Sequence, residues 1–121
     1  IVSMGDRRMI EKAIANAKVA GYFQAIVCAD DVKFPKPHPE PYRRGLELLN
    51  ESGAKLGLEP ALPENCAVLE DSAGGVLSGK AAGMTVFALK HNQSAKVLLE
   101  ARADHVLDSI AALKTFLGLD D

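Results

Sequence analysis

Glu70 and Asp71 stand side by side where the apolar run Cys66-Ala-Val-Leu69 ends. Two adjacent carboxylates concentrate negative charge, and both stay ionised at low cost only with a cation close by. Hard oxygen donors of this kind suit magnesium, which keeps several waters and needs few protein carboxylates. The same pair also reads as a solvated turn in which Asp71 caps the next helix. Ser3 follows the apolar pair Ile1-Val2 and precedes Met4-Gly5. A hydroxyl with free backbone N–H groups ahead of a helix makes an anion site, and an ordinary helix cap uses the same residue types. Lys36 lies in the stretch VKFPKPHPEPY, with a proline on either side. Prolines fix the backbone, so a lysine held there can set a point charge against a phosphate and a carboxylate. A surface lysine in a turn is the plainer reading, and Lys33 lacks the Lys-Pro-x-Pro frame.

A rival signal overlaps the acidic pair. In LEDSAGGVLSGKAAG, Gly74 to Lys80 fits G-x-x-x-x-G-K, the front of a phosphate-binding loop. That loop needs Ser or Thr after the lysine to hold magnesium, and here the position is Ala81. Val76, Leu77 and Ala81 also keep helical spacing through the supposed loop. Gly79 then reads as a small residue where a helix sits close on a sheet. The acidic pair is preferred as the chemical feature. His38, His91 and His105 lie apart and form no metal cluster. Asp30 and Asp31 read as loop solvation, and Arg7 and Arg8 as surface residues at a helix start.

The surrounding pattern alternates short apolar runs with amphipathic ones. Ile1-Val2 ends a strand, and Asp6 caps a helix over Arg7 to Ala20 with Ile10, Ile14 and Ala17 on one face, stopped near Gly21. Ala25 to Ala29 reads as a strand buried on both faces. A helix starts near Pro39 with Tyr42, Leu46 and Leu49 on one face, and Gly53 to Glu64 is irregular. Strands are expected at Cys66–Leu69, Thr85–Leu89 and His105–Leu107. Helices are expected at Gly75–Ala82, Ser94–Ala101 and Ile110–Leu117, the last with Ile110, Leu113 and Leu117 inward. Strict alternation predicts an α/β fold, a parallel sheet with helices on both faces. Ligands of such sheets bind at the C-terminal ends of the strands, which is where Ser3 and Glu70-Asp71 fall.

Bulk properties limit the choices. With 121 residues, one domain over 1–121 is expected. A 48% hydrophobic, 25% charged chain is a globular balance, and a net charge of −2 carries no basic stripe for nucleic acid. The sequence contains no apolar run long enough for a membrane helix. It shows no secretory leader pattern, and Cys28 and Cys66 sit in apolar runs as buried free thiols, which suits a reducing cytoplasm. The opening Ile1-Val2, without Met, reads as the continuation of something longer.

The three site signals occur in one order: strand-Ser, Lys-Pro-x-Pro, then strand-Glu-Asp-Ser before a Gly-rich helix. In this the chain resembles the haloacid dehalogenase superfamily, in particular its phosphatases and beta-phosphoglucomutase-like members. IVSMG is similar to the second motif, KPHPEPY to the third and VLEDSAGGVLSGKAAGM to the fourth, and ADHVLDSIAAL to the C-terminal strand and helix. The resemblance implies a Rossmann-like core. It implies that Ser3 and the N–H groups of Met4 and Gly5 hold the transferring phosphoryl oxygens. Lys36 would neutralise the phosphate and orient the nucleophile. Asp71 would ligate Mg2+ with Glu70 as a second ligand, and Ser72 would support the loop. A Glu-Asp pair favours a magnesium phosphotransferase over a true dehalogenase.

The family's first motif, a strand ending in Asp-x-Asp, is missing. Asp30-Asp31 are adjacent, Asp6, Asp71, Asp104 and Asp108 have no Asp two residues on, and Asp120-Asp121 is a terminal tail. The expectation is therefore a core portion lacking its first strand and cap. It would be inactive alone, complemented by an upstream fragment, and would act when intact on a small phosphorylated metabolite through an aspartyl-phosphate. The alternatives are a non-catalytic phosphate- or metal-binding module on the same fold and a phosphoacceptor receiver domain, whose order of motifs differs. Phe34-Pro35 replaces a more usual small or basic pair, and Asn50 to Leu62 is longer than usual.

Overall fold

The structure is a computed structural model, described here for residues 1–119; the Asp120-Asp121 tail lies outside the described residues. Strands form where apolar runs are continuous and end at turn residues. β1 (Ala67–Glu70), β2 (Thr85–Leu89) and β3 (His105–Leu107) make a parallel sheet in the order β1-β2-β3. The register sets Val68 beside Val86 and Phe87 beside His105. Central β2 buries Val86, Phe87 and Ala88 in succession, as a strand covered on both faces must.

The connections are helices. α3 (Ala73–Ala81) joins β1 to β2, α4 (Ala95–Glu100) joins β2 to β3, and α5 (Ile110–Phe116) follows β3. Ser72, Ser94 and Ser109 cap them, each accepting from the backbone N–H three residues on. Val68, Val86 and Ala88 pack with Val76 of α3 and Leu98 of α4 in one core. Phe87 points to the opposite face, where its ring meets Phe116 of α5 edge-on at 5.2 Å. Helices therefore cover both faces. α3 lies closest, because a Cβ at Gly79 would come within 2.8 Å of Val86 and 3.2 Å of Val68. The Gly74–Lys80 match thus falls inside a helix, and Lys80 pairs with Asp104 at 2.9 Å.

Several boundaries differ from the sequence reading. α1 (Arg7–Asn16) starts at the Asp6 cap as expected but stops short of Ala20. It buries no residue, so nothing rewards a further turn. Lys18 instead takes a φ of 58°, and the Val19 N–H returns to the Ile14 carbonyl at 2.9 Å. Ile10 and Ile14 are half-buried, while Ala17 is exposed. The strand expected over Ala25–Ala29 reduces to a parallel bridge between Val2 and Val27, and Ala29–Asp31 is a 3-10 turn. Asp31 accepts from the Cys28 N–H at 2.7 Å and bends the chain there. α2 (Glu40–Ala54) starts where Pro39 predicts but runs through Gly53.

The long segment after α2 is pinned by Asn50, which donates to the Ala61 carbonyl at 3.0 Å and accepts from the Ala61 N–H at 2.9 Å. α3 begins two residues before Gly75, at the Ser72 cap. In α5, Ile110 is 58% and Leu117 48% exposed rather than inward, and Leu113 is half-buried. The helix follows edge strand β3, where the sheet offers little surface beyond the contact Phe116 takes. Cys28 is buried, but Cys66 is half-buried with its thiol donating to the Leu62 carbonyl at 3.3 Å.

Candidate functional site

The end of β1, the turn after the Val2–Val27 bridge and one proline-framed loop converge on a single cleft. Ser3 closes the Val2–Val27 bridge, its N–H donating to the Val27 carbonyl at 2.9 Å. Glu70 ends β1, and Asp71 and Ser72 form the turn into α3. Lys36 reaches across, its Nζ donating to the Val2 carbonyl at 2.8 Å and to Glu70 Oε1. The cleft measures about 610 Å³ and is lined by Ser3, Met4, Lys36, Glu70, Asp71 and Gly75 among others. The sequence-predicted residues Ser3, Met4, Lys36, Glu70 and Asp71 are thus neighbours in space.

The details refine the expectation. The Gly5 N–H donates to Ser3 Oγ at 3.2 Å and so is engaged within its own turn. Ser3 uses its oxygen there and keeps its hydroxyl proton as a donor. Asp71 does not cap α3, because Ser72 does, accepting from the Gly75 N–H at 3.1 Å. Asp71 is exposed and accepts no hydrogen bond among the described residues. Gln93, on the loop after β2, accepts from the Ala73 N–H at 2.7 Å. Lys36 and Glu70 form an ion pair with 14% and 9% of their side chains exposed. Its contacts engage two of the lysine's three donors.

Sequence reasoning missed Tyr42 and Gly75. The Tyr42 hydroxyl donates to Glu70 Oε1, the oxygen Lys36 also contacts. Burial pushes this hydroxyl's pKa up, and the Glu70 carboxylate pushes it further, so the phenol stays a donor. Gly75 stands where any Cβ would collide with the Glu70 carboxylate. Tyr42 reads as a core aromatic on an amphipathic helix, and only the 28-residue separation closed by folding reveals its polar end. Arg7, which reads as a surface residue, and Asp31, which reads as loop solvation, are also paired. Arg7 donates to Asp31 at 2.5 Å and to the Ile26 carbonyl at 3.1 Å. The Asp31 carboxyl lies below its usual range, first through the Cys28 N–H and also through Arg7.

The donor set fits a hard divalent cation. Glu70 and Asp71 are adjacent carboxylates on an open cleft, and Gly75 leaves room for the first of them. Among the described residues, no group of three or more His, Cys, Asp or Glu side chains gathers as a metal cage. Two carboxylates plus water is a magnesium-like arrangement.

Residues 1–89 match the haloacid dehalogenase-like hydrolase family, and the chain belongs to it. Over 119 residues the chain is 31% identical to the pyrophosphatase PpaX of Bacillus mycoides, covering 98% of this chain and 51% of that protein. It superposes on a crystal structure of a candidate beta-phosphoglucomutase from Thermotoga maritima with a TM-score of 0.76 at 28% identity, covering 98% of this chain and 51% of that one. It also superposes on a hydrolase of the same family from Deinococcus radiodurans, with bound phosphate and sodium, with a TM-score of 0.76 at 29% identity over 96% and 49%. The chain spans about half the length of these relatives. No helix among the described residues is long and apolar enough to cross a membrane.

Proposed function

We propose that residues 1–121 are the C-terminal core portion of a magnesium-dependent phosphatase or phosphomutase acting on a small phosphorylated metabolite. The observation that carries this reading is the gathering of Ser3, Lys36, Glu70 and Asp71 on one cleft at the strand ends. The Ser3 hydroxyl and the Met4 N–H would bind phosphoryl oxygens, and Lys36 would neutralise the phosphate. Glu70 and Asp71 would hold Mg2+, which when bound supplies charge neutralisation to a phosphoryl group. Fixed cationic groups and donors of this sort provide most of the catalysis in phosphoryl transfer.

The nucleophile would come from upstream, as an aspartate that forms an aspartyl-phosphate. A second cleft supports that assignment. An apolar groove of about 220 Å³ is lined by Ile1-Val2 and Ala67-Val68 together with Tyr42, Gly45 and Leu46. The bridged segment at Val2 and strand β1 both lead into the cleft, at Ser3 and Glu70. A parallel strand laid between them would end beside Lys36 and Glu70, and it would cover the outer edge of β1. The two free thiols suit a reducing cytoplasm, and the reading involves neither nucleic acid nor membrane. The engagement of Lys36 by Glu70 favours one further reading, a phosphate- or metal-binding module without turnover.

The test is hydrolysis of para-nitrophenyl phosphate with Mg2+ by residues 1–121 alone and by the complete natural polypeptide. Turnover by the complete polypeptide only is expected. Turnover by residues 1–121 alone would overturn the upstream nucleophile. Magnesium and phosphate binding without turnover in the complete polypeptide would leave the non-catalytic module.

A further inference from the structure

Tyr42 stands in the first turn of α2 with 9% of its surface exposed, packed in the core with Val68 and Val76. Its one polar atom is spent on Glu70 Oε1. Lys36 shares that oxygen, and its Nζ lies 5.0 Å from the centre of the Tyr42 ring. On the other side, Glu70 Oε2 is the atom nearest the place a Gly75 Cβ would occupy. The carboxylate is therefore set between a phenol on α2 and the bare backbone of α3. Oε1 is held by donors, and the carboxylate as a whole, Oε2 nearest, lies over the bare backbone of Gly75, a residue of the cleft wall.

The two donors on Oε1 are not equivalent. Lys36 sits on a loop, carries three N–H groups and also contacts Val2. Its charge can turn to an incoming phosphate. Tyr42 is boxed in by the core, has one O–H and cannot follow. When the lysine moves, the phenol is the group that keeps the carboxylate in place. An unheld glutamate would swing among rotamers, and its second oxygen would no longer face one point.

We infer that Tyr42 is a positioning residue for the cation site: its hydroxyl fixes Glu70 Oε1 so that Oε2 is presented to a divalent metal, with Gly75 providing the clearance. This rests on the magnesium reading given above. It assigns Tyr42 no contact with the cation or the phosphate. Partners that orient a ligating side chain typically change metal affinity by about 10- to 100-fold when removed.

The experiment is Mn2+ titration, followed by electron paramagnetic resonance, on the complete natural polypeptide. Inorganic phosphate binding is measured by calorimetry in parallel. Tyr42→Phe keeps the ring and removes the hydroxyl; it is expected to raise the Mn2+ Kd about tenfold or more and to leave the phosphate Kd unchanged. Gly75→Ala approaches the same carboxylate from the other helix and is expected to weaken Mn2+ in the same way. It serves as the deciding variant if Tyr42→Phe does not fold. An unchanged Mn2+ Kd in a folded variant overturns the inference. An equal loss of Mn2+ and phosphate also overturns it, because that would be a general collapse of the cleft. The underlying reading fails separately: wild type that binds no Mn2+, or Asp71→Asn that binds it as well as wild type, removes the metal site itself. Mn2+ bound through Asp71 but indifferent to both variants removes only the role of Tyr42.

Discussion

Lys36 and Glu70 are the residues on which stability and the proposed chemistry meet. Their side chains are 14% and 9% exposed, and they pair with each other. Removing one partner of a buried pair strands the other charge, at a cost of about 3–5 kcal/mol. Lys36→Met is therefore expected to lower unfolding stability by about that amount in urea, besides lowering phosphate affinity. A loss below about 1 kcal/mol would mean that the pair behaves as an exposed surface contact. That Ser3, Lys36, Glu70 and Asp71 share one cleft was legible because local sequence frames them: apolar-run ends for three and prolines for the fourth. Tyr42 was not. A tyrosine at helical spacing with Leu46 looks like core packing, and its partner lies 28 residues away. The competing lysine, Lys80, fits a motif on paper but faces Asp104 instead.

At the scale of elements, the loop that delivers Lys36 is held by Glu40 in the first turn of α2. Its two carboxylate oxygens accept the Lys33 and Phe34 N–H groups, each at 2.8 Å. Those bonds put the Glu40 pKa below its ordinary value of 4.5. The folded value is the lower one, so the contribution to stability is fully present above the ordinary value. It is lost as pH falls through the folded one. Glu40→Gln is expected to flatten that part of the acid unfolding curve followed by circular dichroism. An unchanged acid limb would contradict the clamp. Gly79→Ala tests the α3–sheet contact: a methyl 2.8 Å from Val86 is overpacked and is expected to cost about 1–3 kcal/mol. A neutral or stabilising result in thermal unfolding would contradict the close approach.

The elements best read from sequence were Thr85–Leu89 and His105–Leu107, whose ends coincide with those of β2 and β3. Turn residues bound both, and neighbours pair with them. Ala25–Ala29 has the same apolar character but keeps only its bridge to Val2. Composition reports burial; it does not report which strand lies alongside. The spacing predicts a longer α1 than the structure has for a related reason. Its apolar spacing runs on, but no surface receives it.

At the scale of the whole molecule, the sheet β1-β2-β3 and the Val2–Val27 bridge stand on either side of the apolar groove. Lys36 contacts both, through Val2 and Glu70. The relatives matched are about twice as long, and the proposed nucleophile would lie in sequence outside residues 1–121. A synthetic peptide carrying the proposed upstream strand is expected to protect the β1 amides from hydrogen exchange when mixed with residues 1–121. No protection at any peptide concentration would contradict the groove's assignment.

The proposed magnesium at the Glu70–Asp71 end of β1 is probed by the Mg2+ dependence of para-nitrophenyl phosphate turnover in the complete natural polypeptide, for wild type and Asp71→Asn. Saturable activation of wild type by Mg2+, abolition by chelator, and a loss of about 100-fold or more in Asp71→Asn are expected, of the size seen when one group stabilising transition-state charge is removed. Turnover that survives chelation, or that Asp71→Asn leaves intact, would contradict it.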